Sequence, residues 1–76
     1  MASLREKFGN RLKEIRLSKR LSQEQFAELL GISVDFLSLI ERGINAPSFE
    51  NLEAFSIQLR IPVSELFNFE ATATAK

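Results

Sequence analysis

The 76 residues include no cysteine, no histidine, no tryptophan and no tyrosine. Without cysteine there is neither a disulfide framework nor a thiolate nucleophile. The additional absence of histidine removes the usual zinc and transition-metal ligands and the commonest general base. All aromatic surface comes from seven phenylalanines, which fill apolar space but carry no hydrogen-bonding tip. Long hydrophobic runs are missing too. Charge-free stretches such as Leu29 to Val34 and Phe36 to Ile40 fall far short of the roughly 18 residues that a spanning helix requires. The N-terminal MASLREKFGN has no apolar segment of the kind a secretory signal needs. These absences predict a cytoplasmic protein with no membrane segment, no metal, no cofactor and no small-molecule ligand.

What is present suits a small globular domain. Apolar residues make up 45% and charged residues 26%, outside the range of intrinsically disordered chains. A chain of this length buries only about 60% of its unfolded surface, so one domain over residues 1–70 is expected. The closing ATATAK, residues 71–76, lacks any apolar period and reads as a frayed tail. Formal net charge is zero, but it is unevenly spread: residues 1–20 carry a balance of +5 and residues 21–76 a balance of −5. The basic stretch is either an electrostatic footprint for a polyanion or a solvated helix face.

Apolar spacing is helical throughout. Leu4, Phe8, Leu12 and Ile15 recur at intervals of four, four and three, predicting an amphipathic helix from about Ser3 to Lys19. Ser22 is an N-cap candidate, and Gln25 three residues later completes a capping-box pattern. The second helix places Phe26, Ala27 and Leu30 on one face, and Gly31 ends it. Ser33 caps a third helix with Leu37 and Ile40 inward, closed by Gly43. After a loop held open by Pro47, Ser48 caps a fourth helix with Phe49, Leu52, Phe55 and Leu59 inward. Pro62 breaks that pattern, and a short fifth helix follows from Val63 to about Asn68. Phe8, Phe26, Phe49 and Phe55 are expected in the core, with Phe36 at its margin. The fold class is all-α: a compact five-helix bundle.

The segment SQEQFAELLGISVDFLSLIER, about residues 22–42, carries the function. Two short helices joined at Gly31 by about three residues have the geometry of a helix-turn-helix. Ala27 allows their close crossing, Gly31 supplies a positive φ, and Ile32, Leu37 and Ile40 plug the angle between them. The C-terminal apolar set of Leu59, Ile61, Val63, Phe67 and Phe69 exceeds what a small bundle readily buries. It reads either as a homodimer interface or as a satellite cluster closing the end of the bundle.

These segments resemble the lambda-repressor-like helix-turn-helix family, which includes phage Cro proteins, Xre regulators and the controller proteins of restriction–modification systems. The likeness rests on FGNRLKEIR at 8–16, LSQEQFAELLGIS at 21–33, LSLIERG at 37–43, APSFENLEAFS at 46–56 and IPVSELF at 61–67. It implies a homodimeric transcriptional regulator, with residues 33–42 in the major groove of double-stranded DNA at a two-fold symmetric operator. It assigns base contacts to Val34, Asp35, Ser38 and Leu39, and phosphate contacts to Gln23, Ser33, Arg42 and Asn45. It also implies an internal ion pair between Arg16 and Glu41, and dimerisation through the C-terminal region.

The base-reading positions depart from the family pattern, where Gln, Arg, Asn or Lys make bidentate bonds to purines. Val34 or Leu39 can pack on thymine methyls, and Asp35 can accept from a cytosine amino group. Equally, Asp35 in the first turn favours the helix dipole by roughly 0.3–1 kcal/mol while repelling phosphates. Leu39 can equally serve as an apolar contact for another protein. The alternative function is therefore a protein-interaction module on the same fold, an antitoxin or adaptor. An enzyme is not expected, since no nucleophile–base pair, metal cluster or phosphate loop is present.

Overall fold

The computed structural model describes residues 2–70. Five helices follow one another: α1 (Leu4–Ser18), α2 (Gln23–Leu30), α3 (Val34–Glu41), α4 (Phe49–Leu59) and α5 (Val63–Leu66). The expected 71–76 tail lies outside the described residues.

Local chemistry sets most helix starts. Ser3, Ser22 and Ser48 each close a reciprocal capping box, their hydroxyls accepting from the N–H three residues on. The returning side chains are Glu6, Gln25 and Asn51. Ser33 caps α3 through the Phe36 N–H at 3.1 Å. Only α5 begins without a side-chain cap, at Pro62. It is shorter than its spacing suggests and ends at Leu66 instead of Asn68.

The buried apolar side chains form one cluster, with Leu12, Phe26, Leu37, Ile40, Phe55 and Leu66 fully enclosed. Helix α1 packs on α3 and α5, α2 on α3 and α4, and α4 on α5. The apolar pattern misplaces two residues. Leu4 is 62% exposed, because it stands in the first turn of α1, beyond the reach of the core. Phe49 is 86% exposed for the same reason at the start of α4. Phe36 is half-buried against the core.

A glycine within α1 decides how closely the recognition unit is held. A methyl group at Gly9 would collide with the backbone oxygen of Ile40 and come within 2.9 Å of that of Glu41. The C-terminal end of α3 therefore lies directly on the α1 backbone. No other residue fits there.

Candidate nucleic-acid interface

The turn between α2 and α3 has the conformation its sequence anticipates. Gly31 adopts φ 78°, ψ 28°, and its N–H closes α2 onto the carbonyls of Ala27 and Glu28. Ala27, Leu37 and Ile40 are buried and Ile32 packs half-buried against them. The apolar angle between the two helices is filled.

A polar network fixes this pair against α1. Arg16 Nε donates to Glu41 Oε2 at 2.8 Å and Arg16 Nη2 to Glu41 Oε1 at 3.1 Å. Arg16 Nη1 donates to the Leu21 carbonyl at 3.0 Å. Gln23 Nε2 donates to Glu41 Oε1 at 2.9 Å. The Arg16 and Glu41 side chains are only 11% and 3% exposed, so this is a desolvated fork-to-fork pair. It also removes the objection to an acid at the negative end of the α3 dipole. One carboxylate thus ties the end of α1, the start of α2 and the end of α3 together.

Gln23 has a role that its position in the sequence does not reveal. Its carboxamide is engaged by Glu41 inside the molecule, which leaves one Nε2 hydrogen for an outside acceptor. The residue remains half-exposed at the first turn of α2. Beside it, Lys19 and Arg20 are exposed immediately before α2. By contrast, Arg11 points inward: its Nε donates to the Glu65 carbonyl at 2.8 Å and its Nη2 to Glu65 Oε1 at 3.2 Å, joining α1 to α5. The basic N-terminal stretch therefore divides. Arg11 and Arg16 brace the fold, while Arg5, Lys7, Lys13, Lys19 and Arg20 face solvent.

On α3, Val34 and Asp35 are exposed, and Ser38 and Leu39 are half-buried. Leu39 is held by its surroundings more than a free surface residue would be, its carbonyl accepting from the Ile44 and Asn45 N–H groups at 3.0 and 3.3 Å. Ser33, Arg42 and Asn45 are exposed around the two ends of α3. By their helical spacing Asp35, Leu39 and Arg42 fall on the side of α3 opposite the buried Leu37 and Ile40, while Val34 and Ser38 lie at its flank.

The C-terminal set does not behave as a unit. Leu59 is 6% exposed and belongs to the core, because α5 covers it through Leu66. Ile61, Phe67 and Phe69 are half-buried, with the Phe67 ring tilted 42° at 5.1 Å from Phe8 and Phe69 edge-on at 6.1 Å from Phe67. Val63 is 41% exposed. Nearby in sequence, Ile57 is 66% exposed, off the apolar face of α4.

Comparison with known proteins agrees with this geometry. The helix-turn-helix family HTH_3 matches residues 12–66. The chain belongs to this family. Membership places it among DNA-binding transcriptional regulators and not among enzymes. The control protein C.MunI of a Mycoplasma species is 42% identical over 69 residues, spanning 90% of this chain and 93% of that one. The crystal structure of the restriction–modification controller protein C.AhdI from Aeromonas hydrophila superposes with a TM-score of 0.76 at 40% identity, covering 83% of this chain and 91% of the other. The helix-turn-helix transcriptional activator BcrR of Enterococcus faecalis is 34% identical over 88% of this chain, which spans only 33% of BcrR. The helix-turn-helix chain is therefore similar both to small stand-alone regulators and to one segment of a larger one. Among its described residues no helix is long and apolar enough to cross a membrane.

Proposed function

We propose that this chain is a sequence-specific regulator that binds double-stranded DNA as a homodimer, with α3 in the major groove of a two-fold symmetric operator. The observation that carries this reading is the Glu41 network. It holds α2 and α3 at one fixed angle to α1 while leaving the outer side of both helices uncovered. A rigid helix pair with capped, exposed N-termini suits phosphate on α2 and base edges on α3.

Within that arrangement Gln23, Ser33, Arg42 and Asn45 bind phosphate, and Lys19 and Arg20 add counter-charge beside them. Such contacts set register and orientation without reading sequence. Val34 and Leu39 present methyl groups to thymine, Ser38 a hydroxyl, and Asp35 an acceptor for a cytosine amino group. Two copies require half-sites about 34–36 Å apart, one turn of the duplex. The similarity to controller proteins of restriction–modification systems supports a small regulator whose activity follows its own concentration through the monomer–dimer equilibrium.

Selection of bound duplexes from a random pool, followed by titration of the winner at several salt concentrations, tests the reading. An enriched inverted repeat with one-turn spacing is expected, and affinity should fall steeply with salt as phosphate counterions are released. No enriched motif, with weak and salt-insensitive binding, would instead point to the protein-interaction module.

A further inference from the structure

Among the described residues, four adopt left-handed backbone: Gly31, Gly43, Arg20 and Arg60. Glycine takes that conformation freely, whereas an arginine is strained there because its Cβ crowds the following carbonyl oxygen. The two arginines close their helices alike. The Arg20 N–H donates to the Leu17 carbonyl at 3.0 Å and the Leu21 N–H to that of Arg16 at 3.3 Å. The Arg60 N–H donates to the Ile57 carbonyl and the Ile61 N–H to that of Ser56, both at 3.2 Å. Each closure needs a left-handed residue, and glycine would supply it without strain.

What the charge does for the fold differs between them. No basic residue stands in the last turn of α4, so Arg60 meets the negative end of that helix dipole. The end of α1 already has Arg16 in its last turn and Lys19 at its C-cap, and a third cation adds little there. Arg20 is exposed, and among the described residues its guanidinium has no hydrogen-bond or ion-pair partner. The backbone that follows it is nevertheless held from both directions. Leu21 N–H donates to the Arg16 carbonyl, and Arg16 Nη1 donates to the Leu21 carbonyl at 3.0 Å. Arg20 is therefore a strained, unpartnered cation on a fixed mount, three residues before Gln23.

We infer that Arg20 makes a direct contact to a DNA phosphate, and that the strain of its backbone is stability forgone for that contact. The inference rests on the DNA-binding reading above and deepens it. General counter-charge from Arg20 becomes a charge-assisted hydrogen bond beside the contact of Gln23, its register set by the bonds between Arg16 and Leu21. Removing the side chain then moves stability and affinity in opposite directions.

Anisotropy titrations of the full chain on a short random-sequence duplex over a salt series, with thermal melts of the same samples, test this. Arg20→Gly should raise the melting temperature by a few degrees and weaken binding about tenfold at low salt. It should also flatten the slope of log affinity against log salt by about 0.9, the value of one phosphate. Arg20→Lys keeps both charge and strain and should retain the wild-type slope. Arg60→Gly removes the same charge and the same strain at the end of α4, so it should raise the melting temperature and leave binding unchanged. Wild-type affinity and slope in Arg20→Gly would overturn the contact and make Arg20 a helix-end cation only. An equal loss in Arg60→Gly would also overturn it, as an effect of net charge. Failure of the DNA-binding reading itself would look different: the wild type would bind the duplex weakly and without salt dependence, and Arg20 would lose its ligand with it.

Discussion

At the scale of single residues, Glu41 is the group on which the helix-turn-helix depends most. It accepts from Arg16 twice and from Gln23 once, in a place where solvent reaches only 3% of its side chain. Truncating one partner strands a buried charge, so Arg16→Met should cost about 3–5 kcal/mol, read as a large fall in the urea midpoint. Equal melting of variant and wild type would refute the buried pair. Gln23→Leu tests the second function of the network. It should lower affinity for all DNA sequences alike, about five-fold for one lost hydrogen bond of roughly 1 kcal/mol. Gly9 has a purely steric role. With the α3 backbone where its side chain would be, Gly9→Ala should destabilise by about 1–3 kcal/mol, against the usual helical gain from alanine. Arg60 behaves oppositely: it closes α4 in the left-handed region at φ 58°. Replacing it by glycine removes roughly 1–2 kcal/mol of strain and adds back about 0.5–1 kcal/mol of unfolded-chain entropy. Arg60→Gly should therefore raise the melting temperature by a few degrees.

At the scale of elements, the two helices of the motif span only 8 residues each, well below the length at which an isolated helix persists in water. They exist because their ends are capped and their inner faces are packed. Ser22 and Gln25 satisfy the start of α2 from both directions, and Ser33 does so for α3. Asp35 adds a favourable charge to the first turn of α3 at a point where approaching phosphates would be repelled. Asp35→Asn is accordingly expected to lower stability by about 0.3–1 kcal/mol and to strengthen non-specific DNA binding several-fold at low salt. Thermal melts and fluorescence-anisotropy titrations on random duplex would show both effects, and unchanged non-specific affinity would place Asp35 away from the DNA.

At the scale of the whole molecule, a neutral chain can bind a polyanion because its charges are segregated. The exposed Lys19 and Arg20 precede the capped start of α2, whereas Arg11 and Arg16 are consumed by Glu65 and Glu41. The salt dependence of DNA binding should therefore reflect fewer phosphates than the seven basic residues of the first twenty would suggest. A slope matching all seven would mean that the two braced arginines are released on binding. Phe49 and Leu4, 86% and 62% exposed, are apolar side chains of the helix starts that the folded chain leaves uncovered.

The sequence by itself determined the number and order of the helices, because caps, terminal glycines and the 3.6-residue apolar period act over a few neighbouring residues. It also pointed to the helix-turn-helix, whose demands on Ala27, Gly31, Leu37 and Ile40 are met within one short segment. The ends of apolar faces were less legible. Leu4, Phe49 and Leu59 obey the same period, yet two are exposed and the third is enclosed beneath α5, because only the neighbouring helices decide where cover stops. The need for glycine at position 9 and the inward tether of Gln23 were invisible for a related reason. Each is imposed by the end of α3, distant along the chain and adjacent only after folding. Local chemistry made the elements. Contact between elements far apart in sequence decided which side chains were left to face a partner.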